Sequence, residues 1–131
     1  MYTEVEHTAD YSVQLSAENL PGLFIQAVQA VQVLSGVEAG DTKPCQRKIT
    51  LKASDLETLL VVWLEELLYS LEIDRLAWQP EDVTVDGCVL QADVQVFPVK
   101  RIQRFIKAVT FHRLEVSRKA DRWEAAVVFD V

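Results

Sequence analysis

Residues 54–71, SDLETLLVVWLEELLYSL, form the strongest pattern in the sequence. Apolar residues recur at i, i+3, i+4 and i+7 over four turns, which is the spacing of a helix with one apolar face. Ser54 and Glu57 have the S-x-x-E spacing of a capping box, so we expect the helix to begin there. The apolar positions are Leu56, Leu59, Leu60, Trp63, Leu64, Leu67, Leu68 and Leu71. Such a helix must lie across a sheet or another helix.

A second amphipathic helix is predicted closer to the N-terminus. Asn19 is a favourable N-cap, Pro21 falls in the first turn where a missing N–H costs nothing, and Gly36 is a stop signal. The apolar stripe consists of Leu20, Leu23, Phe24, Ala27, Val28, Val31 and Leu34.

Most of the remaining chain is predicted to be β-strand. Alternating or continuous apolar segments indicate strands at 11–16, 45–53, 83–85, 89–96, 107–110, 114–117 and 123–131. Asp86-Gly87 is a hairpin turn dipeptide. Two helices with six or seven strands predict the α+β class, with a mainly antiparallel sheet and both helices packed on one face.

The composition limits the kind of protein this can be. The 131 residues, half of them apolar, fit a single domain over 1–131 and exclude a disordered chain. Thirteen Lys and Arg against 20 Asp and Glu give a net charge of −7, which argues against a free-standing nucleic-acid binder or docking on an anionic membrane. The polar N-terminus predicts no signal peptide, and Glu57, Glu65 and Glu66 interrupt the most apolar stretch, 56–71, which is therefore not a membrane span, so we expect a cytoplasmic protein.

The two cysteines give no sign of a metal or redox motif. Cys45 and Cys88 are far apart in sequence, and neither belongs to a C-x-x-C pair. We expect two reduced thiols in the core rather than a disulfide.

Polar groups interrupt the pattern at both ends of the chain. Residues 7–10 (HTAD) precede the first strand, and Asp130 follows five apolar residues, directly before the terminal Val131. A strand-entry turn would explain the first segment and a frayed end the second. If the first and last strands are neighbours, Asp10, Asp130 and the terminal carboxylate could instead converge. Three anionic oxygen groups would suit Ca²⁺ or Mg²⁺ rather than zinc.

A third polar segment, residues 107–112 (KAVTFH), contains one of the two histidines, and His7 is the other. A lone histidine is more often a hydrogen-bonded structural residue than a ligand or base. Residues five apart on a strand face opposite sides, but a bulge near Thr110 would bring Lys107 and His112 to one side. We expect Lys107 to face the aspartates of the chain ends, with a solvated strand lysine as the alternative.

Together these segments resemble the archease family. The matching pieces follow the family's order and cover essentially the whole chain: residues 7–10 (HTAD), 55–69 (DLETLLVVWLEELLY), 106–116 (IKAVTFHRLEV) and 129–131 (FDV). The resemblance implies an SHS2-type α+β fold. It also implies a divalent cation near the chain end, with calcium favoured over magnesium. Its ligands would be Asp10, Asp130 and the terminal oxygens of Val131.

The resemblance further implies an accessory role. Archeases activate the RtcB-type ligase of tRNA splicing and RNA repair, which joins RNA ends through a histidine guanylated by GTP with divalent metal. They promote that guanylation and multiple turnover. We therefore expect a metal-binding, non-catalytic activator of such a ligase, without strong nucleic-acid binding of its own. Its partner-facing pocket would include His7, Lys107 and His112.

Two alternatives remain open. One is a metal-dependent hydrolase in which a metal held by Asp10 and Asp130 activates water, with His112 as the base. The other is a chaperone-like specificity factor for another RNA-modifying enzyme. The chain also departs from the family pattern on the middle helix, after His112 and before Lys107. The departing residues are Val62, Glu65, Lys100, Arg101, Arg104 and Arg113.

Overall fold

The computed structural model describes residues 10–131, which contain two α-helices and eight β-strands. The helices are α1 (Leu20–Ser35) and α2 (Leu56–Tyr69), and a turn of π-helix (Ser70–Asp74) continues α2. The strands are β1 (Asp10–Ala17), β2 (Glu38–Ala39), β3 (Cys45–Lys52), β4 (Leu76–Asp86), β5 (Val89–Arg101), β6 (Ala108–Thr110), β7 (Val116–Lys119) and β8 (Arg122–Asp130). The predicted α+β class is confirmed.

The strands form two antiparallel sheets of four strands rather than one larger sheet. In the first sheet, β8 pairs with β1 on one edge and with β6 and β7 on the other. In the second sheet, β5 pairs with β4 on one edge and with β2 and β3 on the other. Each sheet is organised around one long strand, β8 or β5, that has partners on both edges.

The helix starts differ from the predictions at one point. Asn19 caps α1 as expected, and its side chain accepts a hydrogen bond from the Gly22 amide at 2.8 Å. The N-cap of α2, however, is Asp55 rather than Ser54, and Asp55 Oδ1 accepts from the Thr58 amide at 2.7 Å. A carboxylate is the better acceptor beside the positive end of the helix dipole, so the predicted capping box is wrong by one residue. This hydrogen bond lowers the pKa of Asp55 below its ordinary 3.8.

Glu57, the other half of the predicted capping box, has a different role. Its carboxylate accepts a hydrogen bond from the backbone amide of Val116 at 2.7 Å. Val116 is the first residue of β7, so this bond ties the start of α2 to the first sheet.

Six of the eight positions of the predicted apolar stripe are buried and form the centre of the core, and the other two, Leu56 and Leu68, are half-buried. Trp63 is fully buried, and its ring centroid lies 5.1 Å from that of Trp78 on β4. The Trp63 indole N–H donates to the Phe24 carbonyl at 3.0 Å, which joins the two helices. Within residues 10–131, no helix is long and apolar enough to cross a membrane.

Two glutamines of α1 connect the helix to both sheets. The Gln26 amide group bonds both the N–H and the C=O of Ser16 on β1, at 2.8 and 3.1 Å. Gln32 does the same for Trp78 on β4, at 2.8 and 3.0 Å. Each side chain satisfies backbone groups that an edge strand would otherwise leave unpaired, so α1 holds the two sheets in a fixed relation at these points.

The structure corrects two further predictions. The β4–β5 turn consists of Gly87 and Cys88, because Asp86 already pairs with Val89, and Gly87 has a φ of 60°. Both cysteines are free, but Cys45 is exposed and Cys88 is half-buried, so the prediction of core thiols is wrong. Cys45 opens an edge strand and Cys88 lies in the turn, positions where the sheets leave side chains accessible.

Candidate functional site

The two chain ends meet on the first sheet. Asp10 of β1 lies directly opposite Asp130 of β8, and Ala108 of β6 is opposite Asp130 on the other side. Directly opposite residues of an antiparallel pair point to the same face, with Cβ atoms roughly 4.5–5.5 Å apart. Phe129, the preceding residue of β8, is buried in the core. Asp10, Asp130 and Ala108 therefore form a row on the outward face, which we call the carboxylate row.

Two further predicted residues adjoin this row along the chain. Val131 directly follows Asp130 and is half-buried, and its main-chain oxygen lies one residue further along the chain. The backbone amide of Lys107 donates to the Asp130 carbonyl at 2.7 Å, and the Lys107 side chain is exposed. The structure thus brings four predicted residues to one corner of the first sheet. Their roles as ligands or partner contacts stay predictions.

The charges of the carboxylate row have no cationic partner among residues 10–131. The ion pairs in this part of the chain include neither Asp10 nor Asp130. Like charges directly opposite each other destabilise a sheet. No three Asp, Glu, His or Cys side chains in this part of the chain approach closely enough to hold a metal ion. Among the described residues, the row therefore offers a cation two side-chain carboxylates.

His112 lies away from the carboxylate row. It belongs to a turn closed by a hydrogen bond of 3.0 Å from the Leu114 amide to the Phe111 carbonyl. β6 pairs with β8 in regular register up to Thr110, and residues 111–115 then stand opposite only residues 126–127 of β8, so the bulge predicted near Thr110 is instead a longer loop between β6 and β7. The chain leaves the sheet after Thr110 and rejoins it at Val116, which pairs with Ala125 further along β8, and Arg113 in the intervening loop has a φ of 53°. His112 thus lies beyond the far end of β6, and it is not brought beside the aspartates.

The last predicted residue, His7, lies outside the described residues. Sequence reasoning also left a neighbouring contact unnoticed. The Arg104 guanidinium donates to the Tyr11 hydroxyl at 2.9 Å and lies 5.3 Å from the centre of its ring. The signal was present in the basic residues before Lys107, but the partner on β1 could not be seen without the fold.

Comparisons with known proteins now give the family. A sequence profile of the archease protein family matches residues 2–131. The chain belongs to this family. Archeases from Methanosarcina barkeri and Methanosarcina acetivorans are 34% and 33% identical to it, and each alignment covers 99% of this chain and 95% of the relative.

Two solved archease-type structures share the fold. The crystal structure of an archease from Thermotoga maritima, described as a possible chaperone, has a TM-score of 0.71 and 24% identity, covering 100% of this chain and 98% of that one. The solution structure of protein 1598 from Methanobacterium thermoautotrophicum has a TM-score of 0.65 and 23% identity, covering 94% and 93%. At these identities the likeness shows the fold alone, and it confirms the predicted archease fold.

Proposed function

We propose that this protein activates an RtcB-type RNA ligase by promoting its guanylation and multiple turnover. We also propose that a divalent cation held at the carboxylate row is part of the surface that meets the ligase. Membership of the archease family supports the first statement. The observation that carries the second is the pairing of Asp10 with Asp130 without an ion-pair partner among the described residues.

The donor set of the row fits a hard divalent cation. Asp10, Asp130 and the terminal carboxylate of Val131 offer only anionic oxygens, which Ca²⁺ and Mg²⁺ prefer over the nitrogen and sulfur ligands of zinc. Calcium is favoured because it accepts irregular oxygen geometry, whereas magnesium requires a near-ideal octahedron. The cation would offset the repulsion between the paired carboxylates and leave coordination positions open towards a partner.

Lys107 and the histidines are proposed as contacts to the ligase. The hydrogen bond from the Lys107 amide to the Asp130 carbonyl fixes the backbone from which this exposed side chain extends. An ammonium group beside the row suits a phosphate presented by the ligase. His112 and His7 are assigned to the same partner surface. The distance of His112 from the row along β6 leaves the hydrolase alternative without its base near the cation.

The decisive experiment is a single-turnover guanylation assay of the ligase with each variant at saturating concentration. Asp130→Asn removes one anionic ligand at constant size, and we expect it to lower the stimulated rate at least about tenfold, since each charged ligand contributes strongly to cation affinity. Asp93→Asn, a paired aspartate of the second sheet, is the matched control and should stimulate like the native protein. Full stimulation by Asp130→Asn at limiting cation would refute the role of the row.

A second pair of variants tests Lys107. Lys107→Ala should slow guanylation at saturation without weakening the complex strongly, because the ammonium acts on a presented phosphate rather than on docking. Lys52→Ala, an exposed lysine of the second sheet, is the control. If the native protein leaves guanylation unchanged, the ligase proposal fails and the specificity-factor alternative becomes the one to pursue.

A further inference from the structure

A short basic segment lies next to the carboxylate row. Residues 100–105 (KRIQRF) contain three basic residues and no acidic one, in a chain whose net charge is −7. They run from the end of β5 to the residues just before Lys107 and β6. We call residues 100–105 the basic segment.

The backbone of the basic segment is held in place from two sides. The amides of Gln103 and Arg104 both donate to the Ser35 carbonyl at the end of α1, at 2.9 and 3.1 Å. The bond from Arg104 to the Tyr11 hydroxyl attaches the segment to β1, and Ile106, the next residue, is buried. Its charged side chains are therefore presented from a fixed backbone, which lowers the entropy cost of binding.

The segment also presents an aromatic ring. Phe105 follows Arg104 directly and is 45% exposed, which is unusual for a phenylalanine. The Arg75 guanidinium lies 5.7 Å from the ring centre. Exposed aromatic rings between cationic side chains are the combination that binds single-stranded nucleic acids, because the cations hold phosphates and the ring stacks on a base.

The offsetting negative charge around the segment is small. Within residues 10–131, the only ion pair of the segment joins Lys100 to Glu38 at 3.7 Å. Both side chains are largely exposed, and such pairs contribute little. Arg101 is in no ion pair of this part of the chain, and the Arg104 guanidinium, which uses one N–H on the Tyr11 hydroxyl, keeps further donors for an anion. The net charge of −7 still opposes tight binding of a free polyanion, so the segment suits RNA that another protein already holds.

We propose that the basic segment contacts single-stranded RNA held by the ligase, with Lys100, Arg101 and Arg104 on phosphates and Phe105 stacked on a base. This inference rests on the proposed function for the source of the RNA. It adds a contact to the substrate, whereas the carboxylate row serves the ligase itself.

The first test uses a labelled oligouridylate and the protein without ligase, followed by fluorescence anisotropy at low salt. Lys100→Gln/Arg101→Gln removes two charges from the segment. The control, Lys48→Gln/Lys52→Gln, removes two charges from β3, and it too includes one lysine in an ion pair. We expect weak binding by the native protein and the control, and a salt-dependence slope lower by about 1.4 for the segment variant, from about 0.7 per lost contact on single strands.

The second test uses the ligase in two assays, guanylation without RNA and multiple-turnover joining of RNA ends. The double variant should raise the KM for RNA in joining and leave guanylation unchanged. Phe105→Leu, which keeps the apolar volume but removes the ring, should raise that KM about fivefold, the lower end of the range for base stacking. Tyr69→Leu, at an exposed aromatic on α2, is its control.

Three outcomes separate the possibilities. Equal oligouridylate binding by the double variant and its control would overturn the inference, whether or not the ligase is activated. Slower guanylation without RNA by the double variant would show that the segment contacts the ligase protein, which also overturns it. Failure of the native protein to stimulate guanylation would refute the proposed function, while the anisotropy measurement would still decide the inference.

Discussion

Each of the two sheets places two aspartates opposite each other, but the third strand of each row differs. In the second sheet Asp82 faces Asp93 across β4 and β5, and Lys48 of β3 lies 3.2 Å from the Asp93 carboxylate. An opposite-charge pair across strands stabilises a sheet by about 0.2–1 kcal/mol, and the lysine of this pair is 87% exposed, so the lower end applies. This row offsets its charge with its own lysine.

In the first sheet the same arrangement is left incomplete. Asp10 faces Asp130, and the third strand supplies Ala108, which has no charge. The exposure of the paired aspartates is alike in the two rows, with one exposed and one half-buried. The comparison teaches that two facing carboxylates do not by themselves indicate a cation site. The residue on the third strand decides whether the charge is offset internally.

The largest expected effect is the loss of calcium stabilisation in Asp130→Asn. For the native protein, calcium at about 100 times its Kd should raise the free energy of unfolding by about 2.7 kcal/mol. Asp130→Asn should lose most of this gain, and Asp93→Asn should keep it. In EDTA, Asp130→Asn should be at least as stable as the native protein, because a like-charge pair is removed. Thermal unfolding with calcium and with EDTA measures both, and a full calcium shift in Asp130→Asn would contradict the assignment.

A second prediction gives the row of the first sheet the lysine that the row of the second sheet has. Ala108→Lys would place an ammonium opposite Asp130, as Lys48 is opposite Asp93. We expect this lysine to occupy the position of the cation, so that calcium affinity falls by about tenfold or more. Ala108→Gln has similar length without charge and is the control. Isothermal titration with calcium measures the affinity of both variants. Equal affinities would mean that a positive charge on the third strand does not determine whether the row binds a cation.

The helices could be predicted from the sequence because their signals are local. The stripe of α2 and the caps at Asn19 and Gly36 depend on neighbours within a few residues. The rows depend instead on register between distant strands. Asp93 and Lys48 are 45 residues apart in sequence, and nothing local says that they pair. The family resemblance, rather than spacing, indicated that the chain ends meet.

The errors also have physical reasons. The capping box failed because Asp55, next to Ser54, is the stronger acceptor for the helix amides. The bulge at Thr110 failed because the extra residues come after the strand, in a loop over 111–115 that contains Arg113 in the left-handed region and separates β6 from β7. In both cases a neighbouring residue takes the structural role that the pattern gave to another, and a sequence pattern alone does not resolve this.

A third prediction concerns the terminal carboxylate. Adding one glycine after Val131 converts its carboxylate into an amide and moves the charge one residue further along the chain. Calcium affinity should fall to a value between those of the native protein and Asp130→Asn, because a neutral carbonyl replaces a charged ligand. Unchanged affinity in the same titration would remove Val131 from the ligand set and leave the two aspartates.

The smallest expected effects lie in the hairpin turns of the two sheets. Each has a two-residue loop whose first residue has a positive φ: Gly87 in the second sheet, at 60°, and Ala120 in the first, at 54°. A residue with a Cβ in the left-handed region lowers the free energy of unfolding by about 1–2 kcal/mol. Glycine avoids that strain, but its more flexible unfolded chain lowers the free energy of unfolding by up to about 1 kcal/mol.

Ala120→Gly should therefore stabilise the protein by a few tenths to about 1 kcal/mol, and Gly87→Ala should destabilise it by a similar amount. A Cβ at Gly87 would meet no atom within 4 Å, so the second effect comes from the backbone alone. Urea unfolding of both variants measures the difference, with an unchanged m-value as the check that only stability has altered. Destabilisation by Ala120→Gly would mean that the alanine side chain contributes more to the first sheet than its backbone strain removes. The two sheets would then differ in their turns as well as in their charged rows.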